Sequence, residues 1–178
     1  IREQRDSLAA QTCLPAELVV TDDGSTDATL DIVADFARTA PFPVQVHRNA
    51  TRLGYKGNFM HAVTLSGGDL ISFCDQDDYW KPDNLARVRD VFVKDPDVMM
   101  VYHNARLVDE DRRSISPFYA TPPMPPVARA LTLQPWSFSY GYMQTFRADL
   151  KPAGALWSRM RDHYNPGKEM GHDLYFFL

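Results

Sequence analysis

The sequence predicts an α/β sandwich built on a mainly parallel sheet. Short apolar, β-branched runs alternate along the chain with amphipathic segments of helical length, which is the pattern of repeated strand–helix units. Two clusters of aspartates each follow one of those apolar runs directly. Ligands bind beyond the carboxyl ends of the strands in such sheets, so both clusters occupy positions typical of a binding site.

Helices and strands are predicted in alternation through the first hundred residues. They are, in chain order, a helix over 1–12, a strand over 18–21, a helix around 30–37, a strand over 44–47, a helix over 57–65, a strand over 70–74, a helix around 82–92 and a strand over 99–102. Ser25 or Thr26 is expected to cap the second helix. Pro82 suits the first turn of the fourth helix, because a missing N–H costs nothing there.

The periodic signals weaken beyond residue 105. Five prolines between Pro117 and Pro126 predict an irregular loop or lid. A further strand is expected near Gly141–Phe146, and a last helix from about Ala153 to His163. A chain of 178 residues is long enough to bury one sizeable core, so we expect a single domain.

Composition is that of an ordinary globular protein, and it argues against some classes of function. The net charge is −4, and an acidic protein is poorly suited to nonspecific binding of nucleic acid. Cys13 and Cys74 are too few for a disulfide framework, so we expect reduced thiols in a reducing, cytoplasmic compartment. No apolar run approaches the roughly 18 residues of a membrane span, and no signal peptide is visible.

The stronger acidic cluster has the sequence DQDD and spans residues 75–78, directly after an apolar run. Three carboxylates in four residues repel one another, and a hard divalent cation, which prefers oxygen ligands, relieves that repulsion. Asp75 and Asp77 would point to the same side of an extended segment, so they are the candidate ligands of Mn²⁺ or Mg²⁺. A solvated acidic turn is the simpler interpretation, but the buried strand before the motif and the amphipathic helix after it favour a metal site.

The second cluster has the sequence DDGSTD and spans residues 22–27. A carboxylate at a strand end can accept hydrogen bonds from a nucleobase N–H or a ribose hydroxyl. Helix capping explains the last three residues of the cluster well, but it gives no role to the adjacent pair Asp22 and Asp23. This pair is therefore a candidate nucleotide-binding site.

Four motifs resemble those of glycosyltransferase family 2 and occur in the same order. VVTDDGSTDAT resembles the family's Val-Asp-Asp-Gly-Ser-Thr-Asp segment, and NATRLGYKGNF resembles its Asn-x-x-Asn-x-Gly loop, with Arg52 where Asn is more usual. FCDQDDYWKPDNL resembles its Asp-x-Asp region in the form common among rhamnosyltransferase-like members. GHDLYFFL resembles the His-Asp segment that opens the helix of the catalytic base. The resemblance spans nearly the whole chain.

This resemblance implies a GT-A type, Rossmann-like α/β/α sandwich with a mainly parallel central sheet. It implies an inverting, metal-dependent glycosyltransferase that moves a sugar from a UDP- or dTDP-linked donor to a hydroxyl of a glycan or lipid-linked acceptor, in cell-surface polysaccharide synthesis. Residues 1–178 would be one catalytic domain, with a nucleotide-sugar-binding part over about 1–105 and an acceptor-side part over about 106–178. The implied location is cytoplasmic, at the inner face of the membrane, with peripheral membrane association.

The resemblance also implies a role for individual residues. Asp22 or Asp23 would contact the nucleobase, and Asp75 would meet the ribose or the shell of the metal. Asp77 would ligate the Mn²⁺ or Mg²⁺ that bridges the diphosphate. Asp173 would be the general base that deprotonates the acceptor hydroxyl.

Several of these assignments have simpler alternatives. Asp173 could also be a helix N-cap or a partner of the helix dipole. Lys56 and Arg52 either face the diphosphate or are solvated surface charges. Three aromatic residues either stack on sugar rings or belong to the core; they are Trp80, Trp136 and Tyr140.

Two departures from the family pattern are expected to matter. The family begins with a buried strand that helps to hold the nucleobase, whereas this chain opens within a helical pattern and has no start methionine. At its other end the chain stops inside an apolar run, 5 residues after Asp173. We therefore expect the domain to be truncated at both ends, with some acceptor-site elements missing.

Two other functions fit the acidic clusters. A nucleotidyltransferase also places metal-binding carboxylates at strand ends, but it usually has a glycine-rich, basic phosphate loop near its start, and the sequence shows none. A non-catalytic sugar-nucleotide-binding module would keep the acidic residues as binding groups only. A secreted polysaccharide-binding domain fits less well, because the chain has neither a disulfide framework nor an export signal.

Overall fold

The computed structural model describes residues 1–119, 127–129, 132, 140–162 and 165–172. The α-helices in the described residues are α1 (Arg2–Ala9), α2 (Thr29–Ala37), α3 (Gly54–Leu65) and α4 (Asn84–Lys94). The strands are β1 (Leu18–Asp22), β2 (Val44–Arg48), β3 (Leu70–Ser72), β4 (Met100–Tyr102), β5 (Arg106–Val108), β6 (Ser114–Pro117) and β7 (Gln144–Arg147). Two 3₁₀-helices cover Gly141–Met143 and Ala148–Arg159.

The predicted alternation of helices and strands from α1 to β4 is confirmed. The start of α2 differs from the prediction, because α2 begins at Thr29 and neither Ser25 nor Thr26 caps it. The amide of Ser25 is instead held by the Asp22 carboxylate at 3.1 Å, which keeps this segment in a turn. Asp27 supplies the local hydrogen bond to the helix, since its Oδ1 accepts from the Thr29 amide at 3.0 Å.

The second half of the chain departs further from the prediction. A strand was expected near Gly141–Phe146, and β7 confirms it, although its first residues form a 3₁₀ turn. The last helix begins earlier than predicted and is a 3₁₀-helix, with Pro152 inside it. Pro152 lacks an N–H, so a continuous α-helical ladder cannot pass through it.

The β5–β6 hairpin was not predicted. Its two strands pair antiparallel from Arg106↔Pro117 to Val108↔Ser114, with an irregularity after Leu107. Both strands are short and largely exposed, so they lack the apolar alternation on which a strand prediction depends. Most of the predicted proline-rich loop, residues 120–126, lies outside the described residues.

The strands form a parallel pair and a mixed trio. β1 pairs with β2 in parallel, and β7 lies between β3 and β4 and runs antiparallel to both. Because β3 and β4 each oppose β7, they run in the same direction as each other. The mixed α/β architecture with a parallel ladder agrees with the predicted fold class, and the reversed β7 is the feature that the sequence pattern did not indicate.

A largely apolar cavity of about 560 Å³ lies between the two sheets. β1 and β3 line it, and residues of α1 and α3 cover it. Within the described part of the chain, β1 pairs only with β2 and β3 pairs only with β7. Each of these two strands therefore has an edge without a strand partner.

Two groups of buried hydrophobic side chains hold the helices on the sheets. The first joins α3 to the β3–β7 ladder, and its members are Met60, Val63, Ile71, Phe73 and Phe146. The second joins α1 and α2 to the segment before α4, and its members are Leu8, Phe36, Phe42 and Trp80. Burying a side chain of this size contributes about 1.5–3 kcal/mol, so these contacts fix α1 and α3 relative to the strand ends. No helix in the described ranges is long and apolar enough to cross a bilayer.

Candidate functional site

The acidic loop, residues 75–78, follows β3 and forms a turn. Gln76 and Asp77 lie at the centre of the turn, and the Asp78 amide donates to the Asp75 carbonyl at 3.4 Å. The expectation that Asp75 and Asp77 share one side of an extended segment is therefore wrong, because the chain reverses here. A turn brings its first and last residues together, and in this loop those residues are Asp75 and Asp78.

Asp78 is the residue of the acidic loop whose carboxyl group shows a clear effect of burial. Its Oδ2 is buried and accepts no hydrogen bond within the described part of the chain. Burial, together with the negative charge of Asp77, raises the pKa of Asp78 from 3.8 to about 6. Asp77 is exposed, and Asp75 is partly buried. Alternation along the sequence could not distinguish Asp78 from its neighbours, because burial in a turn depends on what packs over it.

The chemistry of this loop fits a divalent cation. Carboxylate oxygens are the ligands that Mg²⁺ and Mn²⁺ prefer, and the loop presents them on three of its four residues. Across the described ranges, no group of three or more His, Cys, Asp or Glu side chains forms a ligand set by itself. Cations of this kind commonly complete their shell with phosphate oxygens and water. The loop is thus suited to a cation that is shared with a diphosphate.

Asp22, the last residue of β1, is 5% exposed and holds the turn that follows the strand. Its Oδ2 accepts from the Gly24 amide at 3.1 Å, and its Oδ1 accepts from the Ser25 amide at 3.1 Å. Burial acts to raise the pKa of Asp22, but the hydrogen bonds from Ser25 and Gly24 outweigh it and hold the pKa below 3.8. Gly24 has a φ of 97°, a conformation that strains any residue with a Cβ, so this turn requires glycine.

Asp23 ties the end of β1 to the segment that leads into α3. Its Oδ1 accepts from the Leu53 amide at 2.7 Å and from the Asn49 side chain at 2.9 Å, and its Oδ2 accepts from the Gly54 amide at 2.8 Å. These bonds, with the one from Leu53 foremost, hold the pKa of Asp23 below 3.8. Asp22 and Asp23 thus already act as acceptors for their own chain, and their contact with a nucleobase stays a prediction.

α3 brings the ends of β1 and β3 to one edge of the molecule. Asn58 donates from Nδ2 to the carbonyl of Thr21, near the end of β1, at 2.9 Å. The next residue, Phe59, meets Phe73, just after β3, with ring centroids 5.6 Å apart. Since consecutive residues of one helical turn contact both strand ends, the Asp23 loop and the acidic loop lie at the same edge, where α/β sheets bind ligands.

The segment before Asp173 packs on the same turn of α3. His172 is 5% exposed, and its ring stacks on Phe59 with centroids 4.3 Å apart and planes 7° apart. Phe73 meets the His172 ring edge-on at 4.9 Å. Asp173 itself lies outside the described residues. Its neighbour His172 is nonetheless placed against Phe73, and Phe73 comes two residues before Asp75. Phe59 was not predicted to belong to the site, because its signal in the sequence is only an aromatic residue beside Asn58 in the family-like loop.

Lys56 also contacts this C-terminal segment. Its Nζ donates to the carbonyl of Glu169 at 2.7 Å and lies 3.9 Å from a carboxylate oxygen of Asp162. Its predicted contact with a diphosphate stays a prediction, because the described contacts of the ammonium group are with its own chain. Arg52 is exposed beside the turn at Gly24.

The remaining candidates divide between core and surface. Trp80 is 7% exposed and packs in the core, which supports the structural alternative for it. Trp136 lies outside the described residues, and Tyr140 is 42% exposed. Cys13 and Cys74 are free thiols, as expected. Burial raises the pKa of Cys74 to about 12, so this thiol stays protonated.

The sequence model of the family described as "Glycosyl transferase family 2" matches residues 1–151. An uncharacterized glycosyltransferase of Nostoc sp. is 34% identical over 110 residues, covering 62% of this chain and 34% of that protein. A "PGL/p-HBAD biosynthesis glycosyltransferase" of Mycobacterium bovis is 42% identical over 84 residues, covering 47% of this chain and 32% of that protein. The chain spans about a third of the length of the curated relatives that it matches.

Solved glycosyltransferase structures share the fold. S. aureus TarS in complex with UDP superposes with a TM-score of 0.63 at 21% identity, over 88% of this chain and 45% of that one. The mannosyltransferase PcManGT from Pyrobaculum calidifontis, in complex with GDP-Man and Mn²⁺, gives a TM-score of 0.59 at 21% identity, over 86% of this chain and 42% of that one. These likenesses confirm the GT-A fold, and the match of the family model over residues 1–151 shows that the chain belongs to glycosyl transferase family 2.

Proposed function

We propose that this chain carries the donor-binding part of an inverting, metal-dependent glycosyltransferase. The transferred sugar comes from a UDP- or dTDP-linked donor and goes to a hydroxyl of a glycan or lipid-linked acceptor in cell-surface polysaccharide synthesis. The observation that carries this proposal is the acidic loop after β3, at the same edge as the Asp23 loop. In that loop, Oδ2 of Asp78 is buried and has no hydrogen-bond partner among the residues that the structure describes. At that edge, a loop whose carboxylates suit a cation lies near the polar end of β1.

The relatives support a nucleoside-diphosphate donor and a divalent cation. The titles of two fold neighbours name UDP for TarS, and GDP-Man with Mn²⁺ for PcManGT. In this chain, Asp77 and Asp75 would hold Mn²⁺ or Mg²⁺, and the turn adds Asp78 to them. A cation there would neutralise the charge that develops on the leaving diphosphate. Asp22 and Asp23 would contribute to the nucleobase side of the same donor.

The transfer would be a single displacement at the anomeric carbon of the donor sugar. The acceptor oxygen forms a bond to that carbon while the bond from the carbon to the diphosphate oxygen breaks. The electron pair of the broken bond leaves with the nucleoside diphosphate, and the proton of the acceptor hydroxyl passes to the carboxylate of Asp173. His172, packed on Phe59 and Phe73, would set the position of this base relative to the acidic loop.

The domain division follows from the same proposal. Residues 1–178 would form one catalytic domain, in which about 1–105 bind the nucleotide sugar and about 106–178 serve the acceptor side. Its work would be done in the cytoplasm at the inner face of the membrane, through peripheral association.

Thermal unfolding with and without nucleotides tests the donor-binding claim. UDP, dTDP, GDP and CMP are each added with and without Mn²⁺. A ligand at about 100 times its dissociation constant stabilises the folded state by about 2.7 kcal/mol, which for a domain of this size raises Tm by about 5–10 °C. We expect UDP or dTDP to give this rise in the presence of Mn²⁺ only.

Variants of the acidic loop locate the effect. Asp77→Asn and Asp78→Asn should each remove the Mn²⁺-dependent rise, because each removes a charged oxygen ligand. Asp97→Asn, at an exposed aspartate after α4, is the matched control and should keep the rise. A folded protein that shows no Mn²⁺-dependent shift with any of the four nucleotides would contradict the proposal.

A further inference from the structure

Five aromatic residues gather where β4 ends and β7 begins. This tyrosine cluster consists of Tyr102, Phe118, Tyr119, Tyr140 and Tyr142. Phe118 is central, with ring centroids 4.9 Å from Tyr119, 5.1 Å from Tyr140 and 6.3 Å from Tyr142. Tyr119 also lies close enough to Tyr102 to act on the pKa of its hydroxyl group, which it helps to raise after the larger effect of burial. The cluster therefore joins the end of the β5–β6 hairpin to the second sheet.

The tyrosine cluster adjoins the acidic loop. Ser72, the last residue of β3, is paired with Thr145 of the antiparallel β7, so the residues before Thr145 extend past the end of β3. Tyr142 lies there, and the negative charges of Asp78 and Asp75 reach it. Burial, with those charges, raises the pKa of Tyr142 to about 12. The strand order runs from β3 through β7 to β4. The acidic loop after β3 therefore lies between the Asp23 loop and the tyrosine cluster.

Packing alone does not account for the composition of this cluster. Four of its five members carry a hydroxyl group, and Tyr140 is 42% exposed. Gln144 of β7 is 1% exposed, and neither its Nε2 nor its Oε1 has a hydrogen-bond partner among the described residues. It is paired with Tyr102 across the ladder, so the two side chains lie on the same face of the sheet. Leaving a buried amide unsatisfied costs about 1–3 kcal/mol, so a polar ligand that bonds to Gln144 would be stabilised there.

We propose that the tyrosine cluster, with Gln144 beside it, binds a pyranose ring of the acceptor. This inference rests on the proposed function, since it makes the acceptor a sugar and places its hydroxyl toward the acidic loop. A pyranose has an apolar C–H face and a rim of hydroxyls, and tyrosine offers an apolar ring face and a polar tip to match both. The five members of the cluster are Tyr and Phe, so the cluster itself offers no cationic side chain to a phosphate group.

Saturation-transfer NMR with methyl α-rhamnopyranoside and methyl β-glucopyranoside tests the inference. We expect at least one of these probes to bind the native protein, with a dissociation constant on the order of 1 mM. Tyr140→Ala should weaken that binding about threefold to tenfold, because the exposed ring face is lost. Tyr140→Phe keeps the ring and should retain most of the affinity. Val93→Ala, at a position 72% exposed on α4, is the control and should bind as the native protein does.

The nucleotide-dependent thermal shift separates this inference from the donor-site proposal. Tyr140→Ala should keep the Mn²⁺-dependent rise in Tm, because Tyr140 belongs neither to the acidic loop nor to the Asp23 loop. Loss of sugar binding with the nucleotide shift intact supports the acceptor site. The inference is overturned if the native protein binds neither glycoside, or if Tyr140→Ala binds them as well as Val93→Ala does. A native protein that binds a glycoside but no nucleotide would leave this subsite standing and remove the donor site.

Discussion

Asp23 uses both carboxylate oxygens to hold the segment that enters α3, and this makes it a structural residue as well as a candidate for donor binding. Its three hydrogen bonds come from Asn49, Leu53 and Gly54, two of them from backbone amides. The Asn49 side chain also donates to Asn58, and Asn58 donates to the carbonyl of Thr21 in β1. The hydrogen bonds at Asp23 therefore belong to the network that joins α3 to β1. Loss of this carboxylate therefore has a structural consequence that is separate from any effect on a nucleotide.

Asp23→Asn should lower the free energy of unfolding at neutral pH by about 1–2 kcal/mol. The amide group turns one acceptor oxygen into a donor, so at least one backbone N–H loses its charged partner. Urea denaturation followed by circular dichroism measures the change. Asp31→Asn, at an exposed position in the first turn of α2, is a control that should change stability by less than about 0.5 kcal/mol.

The pH dependence gives the same prediction a second test. The pKa of Asp23 is held below 3.8 in the folded state, so its stabilisation is fully present above 3.8 and is lost as the pH falls through the lower folded-state pKa. The stability difference between the native protein and Asp23→Asn should therefore shrink as the pH falls below about 4. A difference that stays constant down to pH 3 would show that the carboxylate charge is not what the variant loses.

Single residues of the site were predictable where they depend on local chain order. An acidic loop after β3 and an acidic pair at the end of β1 follow from apolar runs and the aspartates behind them. The choice of Asp75 and Asp77 as ligands rested on an extended geometry and on the family resemblance; the turn removes the geometric argument, and the assignment itself stays a prediction. Which carboxyl group a turn buries depends on the chain packed over it, and a single sequence does not show that.

α3 is the element that connects the separate parts of the site. Asn58 reaches β1, Phe59 reaches both Phe73 and His172, and Lys56 reaches Glu169. The helical spacing of Lys56, Asn58 and Phe59 spreads them around one turn, so each faces a different neighbour. The sequence predicted a helix here, but its start was placed three residues late, and the contacts of its first turn were not foreseen.

Lys56→Met tests whether this lysine anchors the C-terminal segment or binds the donor. Methionine keeps much of the apolar stem but removes the hydrogen bond to Glu169 and the ion pair with Asp162. We expect faster amide hydrogen exchange in residues 165–172 and a donor dissociation constant within about twofold of the native value. Global stability should fall by less than about 1 kcal/mol, because the ion pair is partly solvated.

Lys94→Met, at the exposed end of α4, is the matched control for that variant and should leave exchange in residues 165–172 unchanged. A tenfold loss of donor affinity in Lys56→Met, with exchange in residues 165–172 unaltered, would instead assign the ammonium group to the diphosphate. The two outcomes differ in both measurements, so the original prediction for Lys56 and the contact seen with Glu169 can be told apart.

In the molecule as a whole, the alternation of helices and strands predicted the α/β layers, but it did not predict which strands pair. β7 arrives from the second half of the chain and runs against β3 and β4, and a pattern of local strands contains no information about such a distant partner. The resemblance to the family implied a buried strand ahead of α1, and in the described residues α1 is the first element. The cavity between β1 and β3 is where the described fold has room for one.

The position of Ile1 favours an additional β-strand as the occupant of that cavity. Ile1 lines it together with β1 and β3, and Ile1 also borders a smaller pocket with Gln76 and Asp77 of the acidic loop. The start of α1 is therefore near the carboxyl end of β3. A strand joined to Ile1 and lying in the cavity would run parallel to β1 and β3, with α1 as the return connection to β1.

A variant extended before Ile1 by a short loop and a strand of about five β-branched apolar residues should be more stable than the chain of 178 residues. The added strand would give β1 and β3 backbone partners and would bury apolar side chains worth about 1.5–3 kcal/mol each before the cost of ordering them. We expect Tm to rise by at least about 5 °C and the amides of β1 and β3 to exchange more slowly.

The matched control is the same extension with proline at the centre of the added strand, which removes one N–H and breaks the pairing. Equal Tm values for the two extensions, with unchanged exchange in β1 and β3, would mean that the cavity does not accept a strand. A rise confined to the extension without proline, with slower exchange in β1 and β3, would show that the edges of these two strands are open to pairing.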